Sequence, residues 1–217
     1  MSSTLYSVEH GTSAETVSKM LTVLYPDAKV VLDATWGKGR FWGLLKPPEL
    51  TMVIGLDLSP HGRPSVVGDF TRLPFADQSV DVTIYDPPFL SDMSKHGTAV
   101  MESRFSGYRG EAEARETVQA GAREAWRVAR LGIIVKLQDH THNNRYVDMT
   151  GWIREALGQP LYGKVDQLRQ AGKIKSPRWG DQLSVYSNSA TFLAFRRGDQ
   201  RHVRRGRQLR QPERSAV

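Results

Sequence analysis

Apolar residues along the chain fall into short runs separated by stretches where they recur at helical spacing. The runs predict strands at Val30–Ala34, Met52–Asp57, Ser65–Phe70, Val80–Tyr85, Gly132–Leu137, Gly163–Gln170 and Thr191–Arg196. Val30–Ala34 and Gly132–Leu137 are almost continuously apolar, as befits strands covered on both faces. Helical spacing predicts Ser13–Leu24, Arg40–Lys46, Glu111–Ala129 and Asp148–Leu157. In the first, Val17, Met20, Leu21 and Leu24 make one stripe behind a capping Thr12 or Ser13. The alternation of strand and helix predicts an α/β fold, a doubly wound, mostly parallel seven-stranded sheet. Ligands in such sheets bind beyond the carboxyl ends of the strands, so the last residue of each strand is where chemistry is to be sought.

Those positions are acidic. The first strand closes on Asp33 and runs through Thr35, Trp36, Gly37, Lys38 and Gly39 into the next element. Gly37 and Gly39 permit a sharp turn and a close backbone approach, which an ordinary tight turn also needs. A carboxylate at Asp33 repels a dinucleotide's phosphates but accepts hydrogen bonds from an ammonium group. Trp42 stands where a dinucleotide fingerprint has its third glycine. Asp57 ends the second strand, near the spacing at which an acid takes ribose hydroxyls. Asp69-Phe70 ends the third, a carboxylate for an exocyclic amine beside a ring that can pack on a base. Asp86-Pro87-Pro88-Phe89 ends the fourth. Its two prolines fix the backbone and remove two donors, as a plain strand terminator does. Asp86 and a carbonyl of that turn can also accept both N–H bonds of a base amine, localise its lone pair and aim it, with Phe89 stacked on the base.

Taken in order over roughly residues 10–140, Asp33-x-Thr35-x-Gly37-x-Gly39, Asp57, Asp69-Phe70 and Asp86-Pro87-Pro88-Phe89 resemble the motifs of class I S-adenosylmethionine-dependent methyltransferases. The D-P-P-F element is similar to that of the nucleic-acid amino-methyltransferases, above all the DNA adenine N6 methylases. The resemblance implies a Rossmann-like methyltransferase fold and S-adenosyl-L-methionine as cofactor. Asp33, Thr35, Gly37 and Gly39 would line its methionine moiety, with Thr12 from the segment Glu9–Ser13 closing over that end. Asp57 would hold the ribose, and Asp69 with Phe70 the adenine. Asp86, Pro87, Pro88 and Phe89 would hold the target amine, most simply adenine N6 in DNA. Related elements occur in methylases of guanine N2 in RNA, and a methylase fold can also bind nucleic acid without transfer. Unlike restriction-system methylases, the chain has no second, target-recognition domain: only Pro87–Gly110 lie between Asp86 and the next predicted helix. Sequence readout then falls to loops or to a specificity partner.

Charge sharpens the choice of partner. The formal net charge is +7, yet residues 1–161 hold 17 basic against 19 acidic groups. Residues 196–217 hold eight Arg against Asp199 and Glu213. Basic character is thus loaded at the end, which suits a polyanion or simply a solvated tail. The expected division is a methyltransferase domain over 1–196 and a basic, disordered tail over 197–217. Lys173, Lys175, Arg178 and Trp179 interleave charge with an aromatic ring, as phosphate tracking and base stacking require. Lys95, Arg104 and Tyr108 place similar chemistry in a substrate loop after the D-P-P-F element. Asp139, His140 and His142 are conceivable metal ligands, but the chemistry needs no metal and none is expected. With no Cys, no membrane-length apolar run and no basic-then-apolar N-terminus, the expectation is a cytoplasmic protein without a membrane partner.

Overall fold

A computed structural model describes residues 4–43, 50–88, 110–142, 145–168 and 189–198. Ten strands and three α-helices follow one another in the described chain. They are β1 (Val8–His10), α1 (Ser13–Leu24), β2 (Val30–Asp33), β3 (Met52–Asp57), β4 (Val66–Val67), β5 (Val80–Tyr85), α2 (Glu111–Val128), β6 (Ala129–Leu137), β7 (His140–His142), β8 (Arg145–Val147), α3 (Met149–Leu157), β9 (Gly163–Leu168) and β10 (Ser189–Arg196). The main sheet has the order β1-β9-β10-β6-β5-β2-β3-β4, and β7-β8 form a separate hairpin. In the main sheet every neighbouring pair is parallel except those made by β10, which runs antiparallel to both β6 and β9.

The sheet therefore has eight strands, not seven. The added strand is β1, parallel to β9 at one edge. Its pattern hides it: Val8 is exposed, while Glu9 points inward and is held by Lys19 of α1 and by Tyr6 N. A charged residue inside and an apolar one outside invert the usual strand signature. The expected helix Arg40–Lys46 is not present over 40–43, where the chain makes turns, and 44–46 lie outside the described residues. The other helices keep their expected positions. Thr12 caps α1 in a reciprocal capping box with Glu15, and Asp148 caps α3 through Gly151 N.

Both faces of the sheet are covered. On one, Val17, Met20 and Leu21 of α1 pack on Val31, Val82, Ile84, Ile134 and Phe192. On the other, Val118, Ala122 and Ala125 of α2, with Trp152 and Ile153 of α3, pack on Ile133, Val135 and Leu193. Alternation along β6 thus sends Ile133 and Val135 to one layer and Ile134 to the other, which is why the run reads as unbroken apolar sequence. No helix among the described residues is long and apolar enough to cross a membrane.

Candidate active site

Sheet register builds the site. Asp33 pairs with Ile84 across β2 and β5, and Tyr85 with Val135 across β5 and β6. One step further along, Asp86 lies between the chain after β2 and the end of β6. Its backbone N–H donates to Thr35 Oγ1 at 2.8 Å. Its carboxylate Oδ2 accepts from Lys136 Nζ at 2.6 Å. Side-chain alternation sets Asp33 in step with Val31, Asp86 with Val82 and Ile84, and Lys136 with Ile134, all residues of the α1 face. Three strands thereby deliver two carboxylates and one ammonium to one face of one edge.

Asp33 is wholly buried. Its Oδ1 accepts from Thr35 N at 3.2 Å and its Oδ2 from the Trp42 indole N–H at 2.8 Å. Burial pushes this carboxyl up to about 7, against those two hydrogen bonds and with help from the like charges of Asp86 and Asp57. The Trp42 indole and the Thr35 backbone thus each hold one Asp33 oxygen. Asp57, at the end of β3, accepts from Gly37 N at 2.7 Å through Oδ2 and from Ser59 N at 2.9 Å through Oδ1. The carboxylate thus pins the loop that carries the two glycines.

Gly37 (φ +54°) and Gly39 (φ +64°) both adopt the left-handed conformation that favours glycine. Their surroundings differ. A Cβ at Gly37 would meet open space, whereas one at Gly39 would strike the Trp36 ring. That ring also lies against Gly55 and donates its N–H to Gly62 O at 2.9 Å. The close approach at Gly39 is made by the protein's own indole.

Asp69, Phe70 and Thr12 make contacts of their own within the protein. Asp69 is exposed and its Oδ1 accepts from Thr71 N. The Phe70 ring packs on Tyr85 at 5.5 Å between centroids, against Gly121 of α2 on the opposite face. Thr12 uses its side chain to cap α1, and Glu9–Ser13 joins β1 to that helix. Pro87 is buried and Pro88 half-buried behind Asp86. Phe89, Lys95, Arg104, Tyr108, Lys173, Lys175, Arg178 and Trp179 lie outside the described residues. Asp139 anchors the start of α3 by accepting from Thr150 N and its hydroxyl.

Lys136 is the site residue that sequence reasoning passed over. Its signal was a single cation inside the run Gly132-Ile133-Ile134-Val135-Lys136-Leu137. A lysine is almost never buried without a partner, and here its side chain is 10% exposed.

No family model and no curated protein sequence matches the chain. Solved structures do. Magnesium protoporphyrin IX methyltransferase from Synechocystis PCC 6803 with bound SAM is 15% identical, covering 86% of this chain and 78% of that one at a TM-score of 0.50. Its complex with SAH gives 14% identity, 86% and 82% coverage and a TM-score of 0.51. A provisionally named DNA modification methylase from Thermus thermophilus is 16% identical over 61% of this chain and 51% of that one. Its TM-score is 0.39, too low to bear on the substrate. With the sheet order and its one reversed strand, the likeness at the higher scores shows that the chain has the Rossmann-like fold of class I methyltransferases.

Proposed function

We propose that this chain is an S-adenosyl-L-methionine-dependent methyltransferase acting on an exocyclic amine of a nucleobase, with adenine N6 of DNA the favoured target. The observation that carries the reading is Asp86, followed by Pro87 and Pro88 past the end of β5 and set beside Asp33 and Thr35. When bound, the cofactor supplies an electrophilic methyl group on a positively charged sulfur. The donor set fits that group: the carboxyls of Asp33 and Asp57 make an environment that favours a cation. Asp57 keeps lone pairs for ribose hydroxyls beyond the two backbone N–H groups it accepts.

The chain's own work is done at the amine. A base amine is a poor nucleophile because its lone pair is delocalised into the ring. Asp86 and a carbonyl of the Pro87-Pro88 turn accept its N–H bonds, localise the pair and aim it. The proton that the methylated nitrogen sheds passes to the Asp86 carboxylate. Transfer is direct, since a chain without Cys has no thiolate to form an enzyme-bound intermediate. In a duplex the target base must first leave its stack, at a cost of a few kcal/mol.

The test is to incubate the protein with methyl-labelled cofactor and separate DNA and RNA pools, then identify the modified nucleoside by mass spectrometry. N6-methyladenine in DNA is the expected product. Label on guanine N2 in RNA would keep the enzyme and change its substrate; label in neither pool would overturn the reading.

A further inference from the structure

Lys136 and Asp86 come from adjacent strands, one rung beyond the pair Tyr85–Val135, and are held at 2.6 Å. The lysine stem runs through the α1-side core, with its ammonium 5.5 Å from the centre of the Phe41 ring. Its side chain is 10% exposed and that of Asp86 22%. A pair this dry is poor evidence for stability, because desolvation offsets most of the attraction. Apolar residues at this position would serve the fold as well. Among the described residues, the charged groups facing Asp86 include Lys136 from β6 and Asp33 from β2. Without the lysine, the Asp33 carboxylate would raise the proton affinity of Asp86. Protonated, Asp86 could neither accept an N–H bond from an amine at that oxygen nor take its proton.

We propose that Lys136 is the positioning residue of the Asp86 carboxylate, holding Oδ2 so that the group meets the target amine ionised and in one orientation. The inference rests on the amino-methyl transfer reading. Lys136 acts through Asp86 and touches neither amine nor cofactor in this assignment. A charge at Lys136, rather than its bulk, is what the site requires.

The experiment compares the wild-type protein with Lys136→Met and Lys136→Arg in two measurements. One is the pH profile of methyl transfer to the nucleic acid that the wild type modifies. The other is a carbon NMR titration of labelled aspartate, with Asp86→Asn identifying the resonance. Lys136→Met should move the acid limb of kcat and the Asp86 titration upward together. A shift of one unit or more means about a tenfold loss at a pH on that limb, recovered on raising the pH. KM should change little, and Lys136→Arg should restore both positions. An unmoved Asp86 titration, or a loss of rate that no pH recovers, would overturn the inference. Failure of the wild type to methylate any nucleic acid would instead overturn the functional reading, and the titration would still decide what Lys136 does.

Discussion

Strand β5 carries an aspartate near its start and another just past its end, each paired with a cation of β6 and otherwise in contrasting surroundings. Asp81, at the amino end, accepts from Lys29 N at 2.7 Å, Val30 N at 3.0 Å and the Arg130 guanidinium at 2.7 and 3.0 Å. Burial pushes its carboxyl up, but these donors outweigh burial and hold it below the usual range. Asp86, just past the carboxyl end, accepts from the Lys136 ammonium and faces a second carboxyl that is driven up to about 7. Asp81 is a staple between strand starts, one oxygen held by two backbone N–H groups and the other by a guanidinium. Asp86 belongs to a set of acids that repel one another. A carboxylate placed among like charges destabilises the empty fold, and it persists where a cation or a proton is to be handled.

The largest expected effect breaks the comparison at its functional end. Asp86→Ala should lower methyl transfer by about 100- to 10,000-fold, the usual contribution of a positioned proton acceptor. Cofactor affinity, read by calorimetry, should stay close to wild type; equal loss of both would reassign Asp86. Next comes the pH dependence of stability. Asp33 has its folded value raised from 3.8 to about 7, so its contribution is complete below 3.8 and is lost as pH rises to about 7. Each unit of that interval costs about 1.4 kcal/mol. Denaturant unfolding should show this decline in the wild type and lose most of it in Asp33→Asn, while a cationic ligand should bind more tightly as pH rises through the same window. At the structural end, Asp81→Asn keeps one acceptor and loses the charge, and should cost about 2 kcal/mol with turnover per folded molecule unchanged. The smallest effect concerns Thr12. Thr12→Ala should cost about 1 kcal/mol through the lost cap. Unchanged cofactor affinity in that variant would make Thr12 a purely structural residue, and a several-fold loss would place it over the ligand.

Much of this contrast was legible in the sequence. Val80–Tyr85 and Ser13–Leu24 have the limits that their apolar spacing predicts, because each buries a continuous face. The acids at 33, 57 and 86 could be found because strand ends are where a doubly wound sheet exposes its chemistry. Their mutual distances could not, since register between strands is a tertiary property. Lys136 was hidden for that reason: a lysine in an apolar strand is interpretable only once Asp86 is seen one rung away. Phe70 was misleading in the opposite sense, for its neighbour in sequence gives no hint that its ring turns to Tyr85 and Gly121. The hairpin β7–β8 went unseen because His140-Thr141-His142 and Arg145-Tyr146-Val147 lack alternation, and β1 because its alternation is inverted.

The one reversed strand has a geographical consequence. β10 enters the sheet at the level of Leu137, beside Lys136, and leaves it at Gly132. The polypeptide thus emerges at the sheet's far rim, where Arg196 lies over Tyr162 and Arg197 over Trp126. Six residues of β5 separate the two rims, roughly 20 Å at strand rise. The chain beyond Gly198 therefore starts from the rim opposite the one that carries Asp86 and Lys136, with the full height of the sheet between them.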